Sequence, residues 1–371
     1  MNLLTFTKYS YEGPSSRYRF YNYKESFAKN NIEMSIKPLF DRNYFMAESK
    51  WQKTLVAVIS YVKRLLLVLQ VLLSPTKYDL ILLEYELFPY LPAWFEYLFF
   101  KRGVHYIVDY DDAIFHKYDM YTNTLLKKVW GNKIAEVMTY AQTVVVCNPY
   151  LEAYASKYNG HIVTIPTVVL LDKYVETMHT YQKREDDNFV IGWIGSWTTG
   201  VYVLEIIPAM KKLVQKYDNI RFHLVGFNEK LLSEQEREDT HIDVIAWNEE
   251  TEIEHILNFN VGMMPLPDDA WSRGKCGFKL VQYMSCKKPV IASAVGVNCT
   301  LVEDGKNGLL VKSPEEWFKA FETLYLDNEL REEMAQNNFI KITKKYNHPT
   351  HSQRYVELLR NTVYGIDKVN Q

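Results

Sequence analysis

Residues with chemistry to offer gather in three places. Lys275 and Lys279 stand four apart in GKCGFKLVQYM, and that spacing predicts both ammonium groups on one face of a helix, near its first turn. Free N–H groups at a helix start favour an anion, and two lysines beside them strengthen the preference. A phosphate or diphosphate is the expected ligand; two solvated surface lysines are the plainer reading. Gly195, Ser196, Trp197, Thr198, Thr199 and Gly200 make a second such loop, with glycine and hydroxyls ahead of a helix. The third place is DYDDAIFH, which holds Asp109, Asp111, Asp112 and His116. Three carboxylates in four positions repel unless something compensates them. They could hold a divalent metal, act as a base or orient a hydroxyl, and Asp112 could instead cap a helix.

Each group lies where a predicted strand ends, which is where open α/β sheets bind ligands. Leu3–Thr7, Ser35–Pro38, Tyr78–Leu83, Val104–Val108, Ala141–Val146 and His161–Ile165 read as strands of a first sheet. Gly13 and Pro14 break the chain after the first of them, ahead of a helix over Arg17–Lys29. This opening admits ligand contact at Gly13 or an ordinary tight turn. The third strand enters EYELFPYLP, which carries Glu86. A second sheet starts at Phe189–Ile194 and continues through Arg221–Val225, Asp243–Ile245, Val261–Pro265, Pro289–Ala292 and Leu309–Val311. Gly226 and Trp247 follow two of these strands. The alternation of strand and helix predicts an α/β fold of doubly wound sheets. The expected division is 1–170, a linker over 171–188 with the charged run KREDDN, 189–345, and a terminal helix in 346–371 that packs back on the first domain.

The whole chain narrows the classes further. Its 371 residues suit two domains, and 47% hydrophobic with 24% charged residues excludes a disordered protein. A net charge of −2 gives no argument for nucleic acid. Cys147, Cys276, Cys286 and Cys299 have no metal spacing and read as reduced thiols. Met1 leads directly into a strand-like run, so a cytoplasmic location is expected. Thr54–Leu73 approaches membrane-spanning length, but Lys63 and Arg64 at its centre would each cost on the order of 3 kcal/mol in a bilayer. It reads either as a core helix or as an amphipathic helix on an anionic membrane surface.

With GPSSRYRFYNY, DYDDAIF, IPT, IGWIGSWTT, RGKCGFKLVQYM and KPVIAS in this order, the chain resembles the retaining family-four (group 1) glycosyltransferases of the GT-B type. The resemblance implies two Rossmann-like domains facing a cleft. A nucleotide diphosphate sugar would sit on the second and a glycan or lipid-linked glycan acceptor on the first, with no metal or other cofactor. It implies hexosyl transfer with retention, in the making of a surface polysaccharide or another glycan. On that reading Gly195, Ser196, Trp197, Thr198, Lys275, Lys279 and Gln282 hold the donor. Gly226 and Trp247 meet the nucleobase, although Trp247 could equally belong to the core. Asp109, Asp111 and Asp112 act at the acceptor, with Gly13, Glu86 and His116 in the acceptor-side loops. The family's two glutamates, eight positions apart, fall here on Gly274 and Gln282. The basic residue that usually follows the first strand of the second domain is absent. The family's histidines at the end of the central first-domain strand are replaced by Asp111 or a neighbour. Two alternatives stay open: a sugar-nucleotide epimerase of the same architecture, and a two-domain ligand-binding protein without chemistry.

Overall fold

The structure, a computed structural model, describes residues 1–182 and 187–369. Lys183, Arg184, Glu185 and Asp186 of the expected linker lie outside the described residues. The chain divides into two compact units. One comprises Met1–Thr167, Gly274–Cys276 and Pro349–Gln371; the other comprises Val168–Arg273 and Gly277–His348.

The first unit is built on a parallel sheet of β1 (Asn2–Tyr9), β2 (Glu33–Phe40), β3 (Leu80–Glu84), β4 (Tyr106–Tyr110), β5 (Thr143–Val146) and β6 (Ile162–Thr164). Their order is β2-β1-β3-β4-β5-β6. Runs such as LILLE and TVVV are buried along their whole length, as expected of parallel strands covered on both faces. Between β2 and β3 runs the Lys50–Leu73 helix, entered through a capping box of Ser49 and Gln52. The helix predicted over Arg17–Lys29 is instead three pieces, Pro14–Arg19, Tyr21–Tyr23 and Lys24–Lys29. Turning the chain there brings Tyr23 and Phe27 against Tyr355 of the terminal helix. That helix spans His348–Val369, with Gly365 inside it. It is tied to the first sheet by Tyr355, whose hydroxyl donates to Asp109, and by Arg354, which donates to the Thr164 carbonyl.

The second unit carries β7 (Phe189–Ile194), β8 (Ile220–Val225), β9 (Ile242–Ile245), β10 (Val261–Met264), β11 (Val290–Ser293) and β12 (Gly308–Val311). These are again all parallel, in the order β12-β11-β10-β7-β8-β9. The chain runs outward from β7 to β9 and then returns to the other side of β7 with β10. A topological switch point therefore falls between β7 and β10, where loops part and leave room for a ligand. The segment expected as linker holds a helix, Leu171–Thr180, and buries Tyr174 in the core of this second unit. An amphipathic decapeptide with a residue to bury gains more by packing than by spanning.

Candidate active site

In the second unit the switch point is lined by loops that only glycine could form. Gly195 follows β7, and its N–H donates to the Val225 carbonyl at 3.0 Å. A Cβ on Gly195 would stand 2.5 Å from Cζ2 of Trp193 and 2.6 Å from Cε of Lys279. Gly226, at the end of β8, has φ +77°, and a Cβ there would stand 2.2 Å from the Gly195 carbonyl oxygen. Beyond Gly195 the chain is folded back on the Ser196 carbonyl, which accepts from the Thr199 N–H at 2.9 Å and the Thr199 hydroxyl at 3.1 Å. Ser196 and Thr198 share a hydroxyl–hydroxyl bond of 2.8 Å at the surface, and Trp197 is 69% exposed.

Lys279 enters this site from the first turn of the Phe278–Ser285 helix, with its ammonium 5.5 Å from the Trp193 ring centroid. The helix start is set by Gly277, whose φ of +70° makes a left-handed turn ahead of it. Beneath, the buried Tyr283 hydroxyl accepts from the Ile194 N–H and donates to the Met263 carbonyl, pinning the helix to β7 and β10. Trp247, past β9, is 40% exposed, and its indole donates to Glu252 at 3.0 Å. Trp247 is therefore not a core residue. A Cβ on Gly226 would lie 3.2 Å from that of Trp247, so Gly195, Gly226, Trp247 and Lys279 are neighbours.

Two donor-side expectations change. Lys275 does not share a helix face with Lys279, because the helix begins after Gly277. Lys275 lies in the segment that packs with the first unit, and its ammonium stands 3.2 Å from Asp112. Gln282 is buried within its helix, with its amide turned to the Tyr174 hydroxyl at 3.4 Å. The spacing rule failed at Lys275 because it assumed helix where a left-handed glycine intervenes.

In the first unit the three aspartates take different parts. Asp109 is fully buried; Arg19 donates to both of its oxygens at 2.8 Å, and the Tyr355 hydroxyl adds a third bond. Its acceptor capacity is spent on holding the unit together, so Asp109 is a structural anchor and not a catalytic group. Asp111 is buried and accepts from the Tyr85 hydroxyl. Burial, and then the charge of Asp112, push its carboxyl up to about 6. Asp112 is part-exposed and paired with Lys275, and it caps no helix. That ion pair is the compensation the carboxylate cluster needed. Asn148, at the end of β5, holds Lys275 in place by donating to the carbonyls of Gly274 and Lys275, both at 3.0 Å. A Cβ on Gly274 would fall 2.3 Å from Cβ of Ala113, so this backbone approach leaves no space for a carboxylate side chain.

The acceptor-side loop residues are mostly occupied. Glu86 is buried in an ion pair with Lys133 and accepts from the Tyr118 hydroxyl at 2.8 Å, so it serves the fold. His116 is bonded through Nδ1 to Asp119 and through Nε2 to the Tyr150 hydroxyl at 2.8 Å, its ring held locally. Gly13 begins the Pro14–Arg19 helix, and a Cβ there would stand 2.4 Å from that of Tyr9, which favours the tight-turn reading. Sequence reasoning missed Glu84, at the end of β3 beside the first sheet's own switch point. It accepts from the Ser16 hydroxyl at 2.6 Å and the Lys8 N–H at 2.7 Å, and burial pushes its carboxyl up to about 8. With Lys8, Arg64, Tyr85 and the apolar Leu39 and Pro89 it lines a small cavity. A lone acid closing an apolar strand was the available signal. Tyr85 was missed too; its φ of +61° has no signature in a single sequence.

Two doubly wound parallel sheets with a glycine-cleared switch point are the architecture of the GT-B glycosyltransferases, and solved structures of that class match the chain throughout. A sucrose-phosphate synthase from Thermosynechococcus elongatus matches 98% of this chain and 100% of its own, with TM-score 0.69 at 15% identity. Anabaena HepE, in complex with UDP-glucose, matches 97% of this chain and 100% of its own, with TM-score 0.67 at 15% identity. Residues 175–340, which lie in the second unit apart from Gly274–Cys276, match the family model described as glycosyl transferases group 1. The capsular polysaccharide biosynthesis glycosyltransferase CapM of Staphylococcus aureus is 26% identical over 175 residues, which is 45% of this chain and 44% of CapM. The chain thus aligns with less than half of that relative's length.

Proposed function

We propose that the protein transfers a hexosyl group from a nucleoside diphosphate sugar to an acceptor hydroxyl, with retention, in glycan or polysaccharide synthesis. One observation carries this reading. Gly195 clears the carboxyl end of β7 so that Lys279 reaches the switch point beside the Ser196–Thr199 loop. A cation, hydroxyls and the start of a helix in one crevice suit a diphosphate. The group 1 match over residues 175–340 and the UDP-glucose complex of HepE support it. Trp247 is our candidate to stack on the base.

Cleavage of the bond between the anomeric carbon and the diphosphate oxygen leaves negative charge on the phosphate, which Lys279 and the loop hydroxyls stabilise. The acceptor oxygen then bonds the anomeric carbon, and its proton passes to the departing phosphate oxygen. Asp112, the aspartate that solvent reaches, is our candidate for the acceptor contact, with Asp111 positioning it. The positive charge comes from lysine, and no metal is required in this reading. The reading also puts the protein in the cytoplasm, where its four free cysteines stay reduced. The acceptor we propose is a glycan or a lipid-linked glycan, the latter reached at a membrane surface. A second reading, nucleotide binding without transfer, is favoured by Gly274, whose close approach to Ala113 bars a carboxylate side chain there.

Release of sugar from labelled donor in the presence of glycan acceptors separates the two. Transfer that Asp112→Asn lowers at least tenfold, with donor affinity unchanged, supports the enzyme. Donor binding with no transfer to any acceptor favours the second reading.

A further inference from the structure

The outward face of the Lys50–Leu73 helix is a surface that the candidate site does not use. Ser60, Arg64, Val68 and Val71 turn inward, while Leu55, Val58, Ile59, Val62, Leu66 and Leu69 recur every three or four residues on the opposite side. Those six side chains are 42–56% exposed, so the reading of this segment as a core helix fails for one whole face. The helix is long and apolar enough to cross a bilayer. Arg64 prevents that: it is buried and donates to the Thr7 and Lys37 carbonyls at 2.8 Å, fixing the inner face to the first unit's sheet. The Trp94–Lys101 helix packs alongside and adds exposed Trp94, Tyr97 and Phe100.

Charge decides what covers this face. The Lys50–Leu73 helix contains Lys50, Lys53, Lys63 and Arg64 and no acidic residue. The one carboxylate of its neighbour, Glu96, is buried and accepts from the Leu87 N–H. Apolar side chains with lysines among them and no exposed carboxylate on either helix match the acyl boundary and headgroups of an anionic bilayer. A second copy of the chain fits less well, because two-fold pairing of this face would bring the lysines toward one another. We infer that the outward faces of the Lys50–Leu73 and Trp94–Lys101 helices dock the protein flat on an anionic lipid surface. The inference rests on the proposed function only for what docking serves, access to a lipid-linked acceptor.

Sedimentation of the full chain with vesicles tests it. Vesicles of phosphatidylcholine with phosphatidylglycerol should carry the protein down, phosphatidylcholine alone should carry much less, and added salt should release it. The Val62→Glu/Leu66→Glu and Lys53→Glu/Lys63→Glu pairs should each lower partitioning roughly tenfold or more. All of these side chains are exposed, and circular dichroism checks that the variants fold. Failure of the wild type to sediment, equal sedimentation with neutral vesicles, or unchanged binding of either pair would overturn the inference. So would a wild-type dimer that Val62→Glu/Leu66→Glu makes monomeric without any vesicle binding. Nucleotide binding, measured without vesicles, reports on the second unit alone, so failure of one idea is told from failure of the other.

Discussion

At the scale of single residues, Asp109 is locked into the fold while Asp112 stays within reach of solvent. Asp109 and Arg19 are both buried, and breaking such a pair leaves an uncompensated charge. Asp109→Ala should therefore cost about 3–5 kcal/mol in urea unfolding. Asp112, part-exposed, should tolerate Asn with little loss of stability. Asp111 carries a pH signature. Its carboxyl is raised to about 6, so it takes up a proton as pH falls through that value and its charge beside Asp112 is lost. Transfer should fall on the acid side of about 6, and Asp111→Asn should remove that limb from the pH profile. Gly195→Ala would push a methyl against Lys279 and Trp193 and should weaken donor binding at least tenfold while the protein stays folded.

At the scale of elements, the twelve strands among the described residues were readable in the sequence: β3 and β5 are buried runs of Leu, Ile and Val, and the rest are short apolar-rich stretches bounded by turn residues. The loop after β7 was readable as a ligand candidate for a related reason: glycine and hydroxyls gather there at a strand end. What stayed hidden depends on long-range partners. Nothing near Lys275 in sequence announces Asp112, 163 residues away, or the grip of Asn148 on that segment. Asp109 looked reactive because its partners, Arg19 and Tyr355, come from distant helices. The Leu171–Thr180 helix was lost to the charged run beside it. Glu84 gives a test at this scale. Burial raises its carboxyl from the ordinary range to about 8, so the folded form holds a proton that the unfolded chain releases earlier. Its contribution is intact at low pH and is lost as pH rises through about 8. Urea unfolding across the window from pH 4.5 to about 8 should show stability falling as pH rises, and Glu84→Gln should flatten that slope.

At the scale of the whole molecule, two units of one architecture carry different groups: glycine-cleared loops and Lys279 on the second, and buried carboxylates and an apolar outer face on the first. If lysine supplies the positive charge at the donor, as proposed, a chelator should leave transfer unchanged; loss of activity with EDTA and recovery with a divalent ion would contradict the metal-free reading. A ligand that binds only the folded state raises apparent stability, by about 2.7 kcal/mol at a hundredfold excess over its dissociation constant. The most direct test is calorimetric titration of the wild type and Lys279→Ala with the diphosphates of uridine, guanosine, cytidine and thymidine and their sugar conjugates. The account predicts that one base stands out, that its sugar conjugate binds, and that Lys279→Ala lowers affinity at least tenfold with the melting temperature of the free protein unchanged. Equal affinity in the variant, or no binding of any nucleotide by the wild type, would contradict a diphosphate site at the end of β7.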